Sequence, residues 1–455
     1  VSEPTCARLS AREAVAAVTG SFTEHRPPGP PERPVPPDGP LGWSGYAESR
    51  ARASARTGEE ESVLYGTGVV DGRECVLVAF EFGFLGGSLG SRTGDRLEAA
   101  YALAGERRLP LVSLVATGGS RMQEGMIALI QLQRVARASS RLRAQGLAQI
   151  AVLRDPTTGG GWATVGAGSD VVLALPGAQI GFAGSRVRPA GADPYAYTAE
   201  GQLAAGHIDA VVTPEELPGT LGRWLAALTL TGPAQAAPVP GALSATGLPA
   251  TGWDAVEQAR AAARPRAEAY LDVYFEDRLP LSGDRCGGRD PGLLCGVGLH
   301  AGRPVAYAAQ CGTATRPAGY RTAARVIRLA DRLGLPVLTL IDTPGAANDA
   351  EAERAGAGAA IAEVFAAVAG ARVPVTTLVI GEGGSGGALA LAAPDNTHVT
   401  ADSYFSVIAP ELAAAILKRG PAEVRSTAGQ LRLRPQDLVE LGIARSVVGP
   451  AAPER

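Results

Sequence analysis

The residues best placed to do chemistry lie in one stretch, Val375-Thr-Thr-Leu-Val-Ile-Gly-Glu-Gly-Gly-Ser-Gly-Gly-Ala-Leu-Ala-Leu-Ala-Ala393. Its β-branched and apolar opening reads as a buried strand, its glycines as a tight turn, and its Ala-Leu run as the start of a helix. A helix start leaves backbone N–H groups without partners inside the helix. Glycines there remove the Cβ atoms that would keep a ligand away from those donors. Such a site holds negative charge, either on a phosphate or on an oxyanion that develops during a reaction.

The pattern occurs more than once. Glycine turns follow apolar runs at Gly118-Gly119 and Gly160-Gly161, and again at Pro344-Gly345 and Gly386-Gly387. Donors from two such turns make an oxyanion hole if the turns converge. The second pair repeats the first. Leu109-Pro-Leu-Val-Ser-Leu-Val115 matches Leu335-Pro-Val-Leu-Thr-Leu-Ile341 at a shift of 226 residues. The same shift brings Gly160-Gly161 onto Gly386-Gly387 and Ile180–Ala183 onto Ser406–Ala409. One gapless shift aligning three separate elements points to an internal duplication.

The elements around these turns alternate strand and helix, which indicates an α/β fold in each half. Residues 1–40 read as an N-terminal tail, with a short helical pattern over Ser10–Val18 and a proline tract from Arg26 to Pro40. Such a tract forms neither helix nor inner strand, so folded sequence is expected to begin near Leu41. A first domain then covers 41–232, an Ala/Pro/Gly-rich linker 233–252, and a second domain 253–455. In the first domain a basic helix is expected over Tyr46–Arg56. Strands over Val63–Gly68 and Glu74–Phe82 are joined by an Asp71-Gly72 turn.

Composition narrows the function. The chain of 455 residues has a net charge of −3, which excludes nucleic acid as the main partner. Its basic residues are 41 arginines and a single lysine, Lys418. The five cysteines form no Cys-x-x-Cys, so neither a zinc ribbon nor a disulfide framework is expected, and reduced thiols suit a cytoplasmic protein. No apolar run is long enough to cross a membrane, and no signal-peptide pattern opens the chain.

These motifs resemble a known family. Paired glycine turns of this kind are similar to those of the crotonase superfamily, where they polarise a thioester carbonyl. Gly86-Gly-Ser-Leu-Gly-Ser91 and Thr117-Gly-Gly-Ser-Arg-Met-Gln-Glu-Gly125 resemble the beta subunit of the acetyl-CoA carboxylase carboxyltransferase. Gly319–Ala330, Leu340-Ile-Asp-Thr-Pro-Gly-Ala346, Gly381–Leu389 and Ser406-Val-Ile-Ala-Pro-Glu411 resemble its alpha subunit. The likeness covers roughly residues 41–449 in order, as in a single-chain beta–alpha fusion. It implies two tandem crotonase-like spiral domains.

The resemblance also implies a division of labour. The first domain would bind the CoA thioester through Gly86, Gly87, Gly118, Gly119, Ser120 and Arg121, with the oxyanion held by Gly118, Gly119, Gly160 and Gly161. The second would face the biotin ureido group with Gly345, Ala346, Gly386, Gly387 and Ala388. Carboxybiotin would arrive on a carrier protein charged by a separate biotin carboxylase. The one lysine, in Leu417-Lys418-Arg419, is not in the Met-Lys-Met setting of a biotinylated lysine, and no ATP-binding P-loop is present. Malonyl-CoA for fatty acid biosynthesis would be the product, and a homodimer or larger homo-oligomer the active form.

Departures from the family pattern are specific. The four-cysteine zinc ribbon common on bacterial beta subunits is missing, so no metal is expected. Thr117 and Ser120 flank the first glycine pair, where Ser and Ala are usual, and Ala347-Asn348 follows the Asp-Thr-Pro-Gly-Ala motif in place of Tyr-Pro. Three rival readings stay open. One is a biotin-independent malonyl-thioester decarboxylase of the same fold. Another is a serine hydrolase, since Gly383-Gly-Ser-Gly-Gly387 fits Gly-x-Ser-x-Gly and Asp395 and His398 follow. The third is a non-enzymatic scaffold. Glu124 and Glu382 lie inside motifs and read as carboxylates favoured near helix N-termini rather than as catalytic groups.

Overall fold

The structure is a computed structural model, and it describes residues 8–26, 36–229 and 234–450. The chain divides into two compact units, Val1–Thr229 and Leu230–Arg455. Each carries an eight-stranded sheet with helices against it.

In the first unit the strands are β1 (Ser21–His25), β2 (Val63–Val70), β3 (Arg73–Phe80), β4 (Leu111–Thr117), β5 (Gln149–Thr158), β6 (Val171–Ala174), β7 (Ile180–Gly181) and β8 (Ala210–Val211). They lie in the order β1-β2-β3-β4-β5-β6-β8, with β7 beside the end of β5. β1, β2 and β3 are antiparallel, and from β3 onward the pairs are parallel. The β2–β3 hairpin turns on Asp71 and Gly72 at φ 47° and 75°, the backbone an Asp-Gly turn of this kind demands. Strands β4 and β6 are buried along their whole length, as expected when both faces of a parallel sheet are covered.

The second unit repeats this plan. Its strands are β9 (Asp277–Pro280), β10 (Leu293–His300), β11 (Arg303–Gln310), β12 (Val337–Thr343), β13 (Val375–Gly384), β14 (Thr397–Thr400), β15 (Tyr404–Ser406) and β16 (Val447–Val448). The order is β16-β14-β13-β12-β11-β10-β9, with β15 beside the end of β13. The 226-residue shift carries β4 onto β12, β5 onto β13, β6 onto β14 and the helix Ser91–Arg107 onto the helix Pro317–Leu333, residue for residue. It even reproduces the irregularity in pairing, which falls between Val115 and Thr117 in one unit and between Ile341 and Thr343 in the other. The two halves have the same fold.

Two boundaries differ from the sequence reading. Folded structure begins well before Leu41. Ala11–Val18 is a helix with a Ser10–Glu13 capping box, and Ser21–His25 is the edge strand of the first sheet. Arg154 in β5 ties this helix down by donating to the carbonyls of Phe80 and Leu9, while Glu81 accepts the Ala11 N–H at 2.7 Å. These partners lie 70 or more residues away in sequence, so local composition carried no trace of them. Most of the proline tract, residues 27–35, lies outside the described residues.

The Ala/Pro/Gly-rich segment after 233 is an arm laid on the second unit. Thr376 donates to Ala237 O at 2.8 Å, Tyr274 to Pro238 O at 2.9 Å, and the Leu243 N–H to Tyr270 Oη at 3.2 Å. Proline lacks a donor but keeps its carbonyl acceptor, so a proline-rich arm can still be hydrogen-bonded in place.

Candidate active site

In each unit the site forms where two adjacent parallel strands end. In the first, β4 and β5 are paired up to Thr117 and Thr157, and their turns meet beyond that point. A Cβ added at Gly159 would lie 3.0 Å from Gly119 Cα, and one added at Gly119 would lie 3.7 Å from Gly160 N. In the second, the turns after β12 and β13 are closer still. A Cβ at Gly384 would come 2.7 Å from Gly345 N, and one at Gly387 would come 2.5 Å from Ala346 N. Both glycine pairs therefore converge in both units, as an oxyanion hole requires.

The donors are not all alike. Gly118 N–H already donates to Gly86 O at 2.8 Å, and Gly119 N–H to Thr117 Oγ1 at 3.0 Å. Gly345 N–H likewise donates to Thr343 Oγ1 at 3.1 Å. These three N–H groups are occupied in shaping their turns, which corrects the reading of Gly118, Gly119 and Gly345 as free donors. Gly160 and Gly161 sit in the first turn of the helix that opens at Gly159, and Gly386 and Gly387 in the first turn of the helix Ser385–Leu389. N–H groups at these positions precede the helix ladder. Ala388 is the fourth residue of its helix, where the ladder first takes up an N–H.

The helix starts are built by backbone conformation. Gly159 has φ 65° and Ser385, its counterpart at the 226 shift, has φ 57°. The duplication preserves the left-handed turn but not the hydroxyl. His398 does not support a nucleophilic Ser385 either, since its ring nitrogens contact Ser446 Oγ at 2.8 Å and Asn396 Oδ1 at 3.2 Å. The serine-hydrolase constellation is therefore not assembled.

Arg121 has a different role from the one its motif suggested. Its side chain is fully buried and makes a two-pronged pair with Glu61, at 2.7 and 2.6 Å. It also donates to Ser88 Oγ at 3.1 Å, Ser88 O at 2.8 Å and Tyr46 Oη at 3.1 Å. It holds the glycine loop 85–90 against the turn, and its side chain is closed off from the surface. Gly87, also buried, is glycine because a Cβ there would lie 2.1 Å from Ala116 O. Gly86 acts on the same turn through its carbonyl.

Burial alone would push the Glu61 carboxyl up. Arg121, with help from the Ser62 N–H and Thr93, overrules it and holds the group down to about 2. Burial raises the Tyr46 phenol, so Tyr46 stays a neutral donor to Glu124 at 2.6 Å. Glu124 also accepts the Ser91 N–H at 2.6 Å, at the start of the helix Ser91–Arg107, where a carboxylate is favoured. Glu382 is engaged by Arg260 and Tyr404, each at 2.8 Å. Neither carboxylate is placed for catalysis.

Glu61 and Tyr46 were not singled out from sequence, and their long-range pairing leaves no local signal. Nor were the exposed apolar residues that follow the first turn. Met122 and Met126 are 76% and 70% exposed. Sequence cannot separate such residues from core residues at helical spacing. Among the described residues no group of three or more His, Cys, Asp or Glu could hold a metal, and no helix is long and apolar enough to cross a membrane.

Comparison with known proteins places both units in a family. Residues 43–211 match the carboxyl transferase domain, and residues 248–452 match the acetyl co-enzyme A carboxylase carboxyltransferase-like family. The chain is similar to the acetyl-coenzyme A carboxylase carboxyl transferase subunits beta/alpha of Saccharopolyspora erythraea, with 40% identity over 430 residues, 90% of this chain and 75% of the relative. It is also 40% identical over 469 residues to the protein of that name from Salinispora arenicola, covering 98% of this chain and 82% of the relative. The chain belongs to the acetyl-CoA carboxylase carboxyltransferase family. Solved structures share the fold of this carboxyltransferase. A transcarboxylase 12S hexamer with hydrolysed methylmalonyl-CoA bound superposes with a TM-score of 0.79 at 19% identity, over 98% of this chain and 87% of that one. A single-chain, multi-domain long-chain acyl-CoA carboxylase gives 0.73 at 19% identity, over 97% of this chain and 44% of that one. The tandem crotonase-like architecture expected from the sequence is thereby established.

Proposed function

We propose that this carboxyltransferase moves a carboxyl group from biotin, carried on a separate protein, to the α-carbon of acetyl-CoA or another short acyl-CoA. The observation that carries this reading is the duplication of the same site in each unit, a glycine pair at a helix start faced by a second glycine turn, at the ends of β4/β5 and of β12/β13. A two-substrate transfer needs two such sites. A decarboxylase needs one, and it would leave the second free to lose its glycines.

The first unit is the acyl-CoA side. The N–H groups of Gly160 and Gly161 face the thioester oxygen and stabilise it as negative charge builds on enolisation. The Gly119 turn keeps the opposite wall free of side chains. The exposed Met122 and Met126 supply apolar surface beside it. The second unit is the biotin side, where the N–H groups of Gly386 and Gly387 would donate to the ureido oxygen, with Ala346 on the facing turn. The fit rests on the clearance there, since a single methyl at Gly387 would collide with Ala346 N. Carboxybiotin would supply the carboxyl group by breaking its N–C bond, and the ureido nitrogen so released would be able to take up the α-proton. The chain itself then needs no general base, in keeping with the structural roles of Glu124, Glu382 and His398.

Carboxyl transfer requires both substrates within bonding distance. A homodimer or larger homo-oligomer is the form we propose, pairing the acyl-CoA side of one chain with the biotin side of another. Cytoplasmic fatty acid synthesis is the setting this reaction suits. The test is reconstitution with a biotin carboxylase, a biotin carrier protein, ATP, bicarbonate and acetyl-CoA. Malonyl-CoA should form and should vanish when the carrier is left out; carrier-independent formation contradicts the reading.

A further inference from the structure

The two half-sites have the same backbone, but their helix starts are supported differently. In the second unit the carbonyl of Gly387 accepts two hydrogen bonds, from Tyr320 Oη at 3.0 Å and from Gln310 Nε2 at 3.2 Å. Both side chains are buried, Gln310 completely and Tyr320 to 1% exposure. The helix does not use this carbonyl itself, because the Leu391 N–H turns to Ala388 O at 3.2 Å. A clamp from β11 and from the helix Pro317–Leu333 thus satisfies an acceptor that the short helix leaves over.

The Gln310 amide is held one way round. Its Nε2 also donates to Thr315 Oγ1 at 3.1 Å, whereas its Oε1 is buried and has no partner. Reversing the amide would set Oε1 against Gly387 O, acceptor to acceptor. An unpaired buried oxygen is a cost that an apolar residue of similar shape would avoid. The glutamine therefore serves by aiming its NH2 group.

The first unit lacks the device. Its residue equivalent to Tyr320 is Gly94, and the last residue of β3, where β11 has Gln310, is Phe80. The counterpart of Gly387 is Gly161, where an added Cβ would meet Thr117 Cγ2 at 2.5 Å and Leu89 Cδ1 at 3.3 Å. Apolar packing supports one helix start and a directed polar clamp the other.

We infer that Gln310 and Tyr320 are positioning residues for the biotin side, fixing Gly387 so that its N–H and that of Gly386 meet the ureido oxygen as the carboxyl group leaves. This rests on the assignment of the second unit to biotin. Burial raises the Tyr320 phenol, so the hydroxyl stays protonated and able to donate.

The test is Tyr320→Phe, Gln310→Leu and the double variant, assayed for carboxyl transfer from malonyl-CoA to free biotin. Acyl-CoA affinity is measured by calorimetry on the same preparations, and melting temperature by scanning calorimetry. Each single change removes one of two bonds to the same oxygen and should lower kcat about 2- to 10-fold. The double change should lower it by more than the product of the singles. Acyl-CoA affinity should stay at the wild-type value in all three. Wild-type kcat in both single variants, or a loss of acyl-CoA affinity in step with kcat, overturns the inference. Tyr320→Phe keeps the ring, so it reports even if Gln310→Leu fails to fold. A wild-type protein that transfers nothing to biotin removes the assignment of the second unit as well, whereas active wild type with unaltered variants removes only the clamp.

Discussion

Gly387→Ala isolates the half-site of the second unit by geometry alone. The new methyl would sit 2.5 Å from Ala346 N, 2.6 Å from Tyr320 Oη and 3.0 Å from Gly345 C. Two of these three atoms are backbone, so the clash cannot be relieved by rotating a side chain. An ordinary carbon contact begins near 3.4 Å, so the two turns must part by about 1 Å. A displacement of that size in a positioning element costs on the order of 100-fold in rate, or about 2.7 kcal/mol at 1.36 kcal/mol per decade. Transfer from malonyl-CoA to biotin should fall by that factor while acyl-CoA affinity, measured by calorimetry, is retained. Gly160→Ala is the informative comparison. Its methyl meets Leu132 Cδ1 and Cδ2 at 2.5 Å and Cγ at 3.1 Å, nearest neighbours that all belong to one side chain able to shift. The loss there should be smaller and fall on acyl-CoA turnover. Gly358→Ala, where nothing lies within 4 Å, is the neutral control. If Gly387→Ala transfers carboxyl groups at the wild-type rate in a folded protein, the convergence of the second unit's turns has no part in catalysis.

Glu61→Gln leaves Arg121 buried with its main partner lost and should destabilise the first unit by about 3–5 kcal/mol, read by denaturant unfolding. The same pair sets an acid limit. Glu61 is held at about 2, below its ordinary 4.5, so its contribution is complete above pH 4.5 and is lost as the pH falls toward 2. That contribution is worth about 3 kcal/mol, and the wild type should lose more stability over this interval than Glu61→Gln does. Mixing subunits of Gly119→Pro with those of Gly387→Pro should restore about a quarter of wild-type activity after statistical exchange, since one site in each mixed dimer draws two intact halves. No recovery despite exchange, demonstrated by differently tagged subunits, refutes the shared-site arrangement.

Much of the fold was legible because the chain states it twice. Comparing the halves fixed the strands that end in glycine turns, and the structure keeps the 226 shift across β4, β5 and β6 to the residue. Local turn chemistry was equally readable, as at Asp71-Gly72. Partners distant in sequence were not. The helix Ala11–Val18 is held by Arg154 and Glu81, and the arm after 233 by Tyr270, Tyr274 and Thr376. Before Leu41 the sequence shows a short helical pattern and a proline tract, and after 233 an Ala/Pro/Gly-rich composition, and neither signal registers the groups that receive these segments. In the site, glycine spacing located the turns but could not say which N–H groups the turns consume. Gly118 donates to Gly86 O, a pairing set by how the loop 85–90 folds back. Arg121 was read as a substrate residue because it stands in a motif, whereas its partner Glu61 lies 60 positions earlier.

In the two-site mechanism, two half-sites cooperate to carry one carboxyl group between two substrates. It is tested most directly by following label from malonyl-CoA, radiolabelled in its free carboxyl group, in the presence and absence of a biotinylated carrier protein. The two-site mechanism predicts label on the carrier, formation of acetyl-CoA only when biotin is present, and loss of both with Gly387→Ala. Release of labelled CO2 at the same rate without biotin, and unchanged by Gly387→Ala, would contradict it.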